Sequence, residues 1–305
     1  MSSEVTVLFD APGPRSRRLY RIMGLVSVVM LAVVIWFVLD KLNEKGQLTA
    51  AKWKPFLTGE IWTEYLIPGL IGTITAAAIS VVLALTLGGL LGVGRLSHAA
   101  WIRWPSNVLV EFFRAVPVLL MMLFAYKLYA EYDLVPSDRL ALAGVVTGLT
   151  LYNGAVVAEL VRSGVHSLPK GQSEAALAVG LTQGQTMRSV LLPQAVTAML
   201  PAIVSQLVVI LKDSALGYII TYEELLRKAE QIGNYKANLI PAFIVVAAIF
   251  IVINSLLSIV ANKVEQRTRR RGHAAGGPLK PDQIDQAAVA AAASMAAPAG
   301  PAHSS

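Results

Sequence analysis

An all-α protein crossing a lipid bilayer six times is the fold this sequence predicts, and three observations carry the prediction. The first is composition: 55% of the 305 residues are hydrophobic and only 15% charged, where soluble domains carry about 25% charged residues. The second is that the apolar residues fall in uninterrupted runs of spanning length. The third is that basic clusters flank the outermost runs, Arg15, Arg17, Arg18 and Arg21 at one end and Arg267 with Arg269, Arg270 and Arg271 at the other. Such clusters stay on the cytoplasmic side, and two ends on one side need an even number of crossings. The net charge of +7 is therefore topological, and no nucleic-acid partner is expected.

Residues 1–21 read as a cytoplasmic basic N-terminus. Residues 22–39 give 18 uncharged residues, an accessory transmembrane helix; no small-residue cleavage site follows Leu39, as a signal peptide would require. Residues 40–64 form a polar extracytoplasmic loop, with Trp53 and Trp62 suited to an interface. Tyr65 to Gly94 supplies 30 uncharged residues rich in Gly, Ala and Thr, which let helices approach closely in lipid. A basic turn, Arg95 to Arg103, leads to a third run, Trp104 to Ala130, interrupted by Glu111, Arg114 and Lys127. Leu140 to Ala158 is a clean 19-residue run, closed by Glu159 and Arg162 at ion-pair spacing. Ser189 to Leu211 gives 23 uncharged residues containing Pro193 and Pro201. Tyr222 to Ile232 is short and amphipathic, with Thr221 and Glu224 at capping-box spacing. Ala237 to Asn262 is the last run, 26 residues, and the Ala/Pro/Gly-rich stretch 263–305 reads as a disordered cytoplasmic tail.

Between the fourth and fifth runs lies a moderately polar segment, 164–193. Ser173 is an expected N-cap and Gly180 a helix terminator, bounding a helix of under two turns. Thr182 and Gln185 have capping-box spacing for a second helix, which Pro193 cannot continue normally. Ala175, Ala176 and Gly180 carry almost no side chain, so another protein's surface can approach the backbone there.

Glu174-Ala175-Ala176, followed by Gly180, Val190 and Leu192-Pro193, resembles the EAA loop of the permease subunits of ABC importers. Three further blocks agree. Glu111-Phe112-Phe113-Arg114-Ala115-Val116-Pro117 resembles the ExFRxxP segment of polar amino-acid permeases. Glu159-Leu160-Val161-Arg162-Ser163-Gly164, running on to Gly171-Gln172, resembles their EIVRAGI…GQxEAA run. Leu211 to Leu216 resembles their LKDSSL box, with Ala215 standing where a hydroxyl residue is usual. The chain looks most like the glutamate-uptake permeases of actinobacteria.

The resemblance implies an ABC importer transmembrane domain over 65–262, a five-helix core to which the first helix is added, in a bacterial plasma membrane with both termini cytoplasmic. It also implies that Gly171, Gln172, Glu174, Ala175, Ala176, Gly180, Leu192 and Pro193 couple to an ATPase. The partners implied are two ABC ATPase subunits, a second permease chain, identical or not, and an extracytoplasmic amino-acid-binding protein. No G-x-x-x-x-G-K-[ST] phosphate loop occurs in the chain, so ATP hydrolysis is expected on a separate polypeptide.

For the substrate, Gln206 and Asp213 are seven residues apart and share nearly one helix face, beside a stripe of Ser205 and Lys212. Asp213 can meet the α-ammonium of an amino acid, and Lys212 or backbone N–H groups near Gly217 its carboxylate; Ser214 adjoins them in the LKDSSL-like box. Gln206 is neutral, which favours glutamate or glutamine over arginine. Lys212 and Asp213 also fit an ordinary solvated span end. Two other functions stand beside the importer. A secondary transporter or channel predicts mid-span carboxylates and internal repeats, whereas the acidic residues cluster at span ends. A membrane enzyme needs a catalytic or metal constellation, but Cys is absent and His98, His166, His273 and His303 have no ligand spacing. No metal or cofactor is expected.

Overall fold

The structure, a computed structural model, describes residues 13–275, and every regular element among them is helical. Helix α1 covers Pro14–Glu44, longer than the expected 22–39 at both ends. Proline is pre-organised for a first turn, and the end is a Schellman closure on Gly46 at φ +66. There Gly46 N–H donates to Asn43 and Gln47 N–H to Leu42. The spanning window of α1 buries nothing against the described protein.

The expected loop 40–64 is instead mostly helical in short pieces: Ala50–Trp53, a 3₁₀ turn Lys54–Leu57, Gly59–Ile61 and a π turn Trp62–Leu66. Both tryptophans staple it, Trp53 Nε1 donating to Gln47 O at 3.0 Å and Trp62 Nε1 to Phe56 O at 2.9 Å. Helix α2, Ile67–Arg95, follows.

The third run departs most from expectation. It is two helices, α3 (Ala100–Ala115) and α4 (Val118–Glu131), bent by 102°. Pro117 is the cause: it lacks an N–H and drives Val116 to extended backbone, φ −85 and ψ 128. Among the described residues five stretches are long and apolar enough to span alone, and six spans result when the bent pair counts as one.

Helix α5 is Leu140–His166 and α6 is Lys170–Ala178. A helical lead-in, Gln183–Thr186 and a π turn Met187–Leu191, runs into α7, Leu192–Asp213. A 3₁₀ stretch Ser214–Ile220, α8 (Leu225–Lys236) and α9 (Leu239–Ala275) complete the order. The tail expected from residue 263 therefore begins with helix: Lys263 to Arg271 contains no Gly or Pro, and basic residues suit a helix C-terminus. Residues 276–305 lie outside the described residues.

The chain divides into two compact units, 1–75 with 215–251 and 76–214 with 252–305. In the first, Tyr222 Oη donates to Gly72 O at 2.8 Å and Leu225 N–H to Thr73 Oγ1 at 3.2 Å. A Cβ on Gly72 would lie 2.1 Å from Glu223 O, so only glycine admits this approach. Asn238, buried, donates to Lys52 O at 3.0 Å. The expected Thr221–Glu224 capping box is absent. Thr221 adopts left-handed φ 62, and Glu224 is itself the N-cap, its carboxylate accepting from Leu226 and Arg227 N–H at 2.9 and 2.7 Å.

In the second unit, α2 and α5 meet on glycine. A Cβ on Gly88 would lie 2.6 Å from Gly154 O, and one on Gly148 would lie 2.5 Å from Met122 Cγ of α4. Close contact replaces hydrophobic driving force, which lipid does not supply between helices.

Glu224 gives a pH dependence. It is 0% exposed, and burial pushes its carboxyl up to about 7 although two backbone N–H groups favour the ionised form. A raised carboxyl pKa means the folded state holds the proton more tightly, so this contribution is fully present below the ordinary value of 4.5 and is lost as pH rises through about 7. Amide hydrogen exchange over α8 should accelerate between pH 5 and pH 8 beyond its intrinsic pH trend, and Glu224→Gln should remove the excess.

Candidate functional site

The sequence-predicted coupling segment leaves the end of α5, and a charge cluster secures that end. Glu159 Oε2 accepts from Arg95 Nη1 at 2.5 Å and from Arg162 Nε at 3.3 Å, and lies 3.3 Å from Arg114 Nη1. Its Oε1 accepts from Arg162 Nη2 at 2.6 Å. Arg95 also donates through Nε to Asn107 Oδ1 at 2.7 Å and lies 3.8 Å from Glu111. The Arg95 side chain is 6% exposed and Glu159 21%, so the pair at the centre of this cluster is largely shielded while Glu111, Arg114 and Arg162 form its more exposed rim, and together they tie α2, α3 and α5. Glu111 and Arg114 interrupt the third run because they belong to it.

Past the cluster, Gly164 packs against α7, where a Cβ would lie 2.6 Å from Met199 Cγ. The chain then leaves α5 and enters α6. Ser173 is inside α6 and is not its cap; Pro169 holds the N-cap position, and the helix is longer than expected at 9 residues. Its C-terminus is a full Schellman motif. Gly180 sits at φ +86 with N–H donating to Leu177 O at 3.0 Å, and Leu181 N–H donates to Ala176 O at 3.2 Å. The Thr182–Gln185 capping box forms as expected, with both bonds present. The π turn Met187–Leu191 ends next to Pro193, so the helix accommodates the proline without stopping.

Gly171, Gln172, Glu174, Ala175, Gly180 and Pro193 are exposed, and Leu192 is half-buried. Ala176 is 6% exposed and faces inward, which corrects the expectation that its backbone is open to another surface. A Cβ on Gly180 would meet nothing within 4 Å, so glycine is needed for its φ rather than for space. Two residues the sequence reading passed over are Leu177 and Val179, 43% and 78% exposed on the same short helix. Their signal was plain: large apolar side chains in an otherwise polar loop.

On α7, Gln206 donates through Nε2 to Asn153 Oδ1 of α5 at 2.5 Å. Asp213 is the last residue of α7 and half-buried, Lys212 is exposed, and Ser214 is buried with its hydroxyl bonded back to Leu211 O at 2.7 Å. Gln206 and Asp213 share the helix as spaced, while Gly217 lies in the other compact unit. Asn153 had no signal in sequence beyond being an amide in the middle of a clean apolar run.

Residues 84–270 match the family described as the binding-protein-dependent transport system inner membrane component. The chain belongs to this family. The permease is 51% identical over 246 residues to the glutamate transport system permease protein GluD of Corynebacterium glutamicum, covering 79% of this chain and 90% of that one. It is 29% identical to the glutamate/aspartate import permease protein GltK of Escherichia coli, over 67% of this chain and 93% of the relative. Among solved structures, an amino acid ABC transporter crystallised with histidines matches with a TM-score of 0.62 at 29% identity, covering 68% of this chain and 95% of that one. The permease is thus a multi-pass, non-catalytic membrane subunit of an ABC importer, working with a separate ATPase and a binding protein. A self-sufficient secondary transporter is set aside by that membership. Helix α1 lies outside the family match.

Removing Glu159 takes the nearest counter-charge from buried Arg95. Glu159→Gln should destabilise the detergent-purified permease by about 3–5 kcal/mol. Glu111→Gln, at a 72% exposed side chain 3.8 Å away, should cost below about 1 kcal/mol. Thermal unfolding midpoints of the two variants check the contrast, and equal losses would contradict the geometry.

Proposed function

We propose that the permease imports glutamate, with both termini in the cytoplasm and α6 and its Gly180 turn as the contact with the ATPase. The observation that carries the substrate is the 51% identity over 246 residues with a protein named for glutamate transport. In this reading two ATPase subunits drive a pair of permease chains, identical or not, and an extracytoplasmic binding protein delivers the amino acid. Exposed Leu177 and Val179 support the docking surface, because apolar side chains on a polar loop favour burial against a partner. Glu174 is exposed and makes no ion pair among the described residues, which leaves it available to a basic partner. Gly171, Gln172, Ala175, Leu192 and Pro193 frame this surface, and Ala176 anchors it from inside. The amino acid passes along α7, using Gln206 and Asp213 with Lys212 nearby, while Ser214 secures the helix end. The orientation rests on the basic ends and on the bent α3–α4 pair crossing once.

Coupling is tested with two variants. Glu174→Lys reverses the available charge, and Gly180→Val forces a β-branched residue into a left-handed turn, costing about 1–2 kcal/mol locally. Both should reach the membrane at normal levels while losing most glutamate uptake and retaining less ATPase on co-purification. Wild-type uptake in both would remove the assignment.

Orientation is tested separately, on a chain without native cysteine. An impermeant maleimide on intact cells should label Thr49→Cys and spare Ser16→Cys and Ser305→Cys. Labelling of Ser305→Cys would mean that the bent pair does not cross.

A further inference from the structure

Asn153 sits at the midpoint of α5, a 27-residue helix, and is 0% exposed. An amide at that depth must find partners, because lipid offers none. Its Nδ2 donates to Leu149 O at 2.8 Å, and its Oδ1 accepts from Gln206 Nε2 at 2.5 Å. These two bonds fix both amides. A backbone carbonyl can only accept, so Leu149 determines which end of Asn153 carries nitrogen. The other end is then an acceptor, and only the nitrogen of Gln206 can face it. Gln206 is left half-buried with its Oε1 turned away from Asn153 and bonded to nothing among the described residues.

Packing glue does not need this arrangement. An interhelical amide pair that serves only to hold α5 to α7 can saturate both partners, and here one acceptor is held open. The surroundings keep further polar capacity in reserve. Thr150 Oγ1, three residues before Asn153 on α5, and Ser80 Oγ on α2 are buried and have no hydrogen-bond partner among the described residues. Contacts between α2 and α5 put Gly88 against Gly154 and Val157, and Gly92 against Val161. The same register carried back two turns brings Ser80 level with the turn of α5 that precedes Asn153.

We propose that Asn153 is a positioning residue for transport: by clamping the nitrogen of Gln206, it presents Gln206 Oε1 as the acceptor for the α-ammonium of the passing amino acid. The inference rests on the reading that α7 lines the path. A neutral acceptor suits a site that a substrate must leave as readily as it enters, since it binds an ammonium without the hold of a full charge.

The test uses the complete transporter in proteoliposomes, with its ATPase and saturating glutamate-loaded binding protein, and reads glutamate moved per ATP hydrolysed. Asn153→Leu should lower that ratio about tenfold, because an unclamped Gln206 amide holds neither its position at the path nor its oxygen toward it. Gln206→Leu should do the same, and the double variant should be no worse than Gln206→Leu alone. The exchanged pair, Asn153→Gln with Gln206→Asn, conserves the combined length of the contact and should recover at least a third of the wild-type ratio, which a merely structural loss would not. Asn153→Thr, which can still donate to Leu149 and accept from Gln206, should remain close to wild type and serves if Asn153→Leu does not assemble. A wild-type ratio in Asn153→Leu with loss in Gln206→Leu overturns the clamp and leaves the α7 path standing. A wild-type ratio in Gln206→Leu removes the path itself and the clamp with it. Failure of both the exchanged pair and Asn153→Thr to recover the ratio also overturns the clamp.

Discussion

The carboxylate of Glu159 is the constraint on which the second compact unit depends. Arg95 ends α2 in a place where its guanidinium is almost wholly buried, and a buried cation without a counter-charge is costly. Glu159 meets it at 2.5 Å while also holding Arg114 and Arg162, so each of its oxygens is engaged. Replacing one of these arginines would leave the others paired with Glu159; replacing Glu159 would take the shared counter-charge from all three. One residue on α5 therefore fixes the end of α2, the charged turns of α3 and the point from which the loop to α6 departs. From Glu159 to the last residue of α5 is about two turns, or 10 Å. A short lever of that kind carries little slack.

The helices can be held this way only because their contacts elsewhere permit it. Lipid is as apolar as leucine, so burial of apolar surface gives these helices little reason to associate. Glycine at 88 and 148 lets helices meet where any side chain would collide. The amide pair Asn153–Gln206 then adds a directional bond between α5 and α7, with the Asn153 side fully buried. Close packing sets distance and polar pairs set register.

Much of this was legible in the residues. Apolar runs gave the spans, the four motif blocks gave the family, and Thr182 with Gln185 gave a cap that forms as written. The failures have local physical causes. The third run still counts as one span when the bent pair is taken together, but Pro117 breaks it into two helices, and a hydropathy run does not register a 102° bend. Ser173 and Thr221 are residue types that favour caps, but Pro169 and Glu224 occupy those positions, since capping depends on where the helix starts rather than on which residue could serve. Ala176 looked open because alanine is small, and burial of one face of α6 is a tertiary fact. At the candidate site the loop was readable because it is written contiguously. Asn153 was not, because its partner lies 53 residues away and nothing local marks the pairing.

The loop's own construction bears on how it can work. A segment meant to transmit force should not fold only when its partner arrives, because the energy of binding would then go into ordering it. The α6 turn avoids that cost with local devices. Gly180 closes the helix through two backbone bonds, and Thr182 with Gln185 starts the next helix two residues later through two more. Between those closures the direction of the chain is set by φ +86 at a residue whose Cβ position is empty space. Nothing from the rest of the protein has to fill that position to keep the bend, so its outer side stays free. Val179 sits beside it, apolar and 78% exposed. A preformed turn next to an unburied valine is an arrangement that gains from a partner's surface without having to refold for it. That is the property the proposed contact with an ATPase would require.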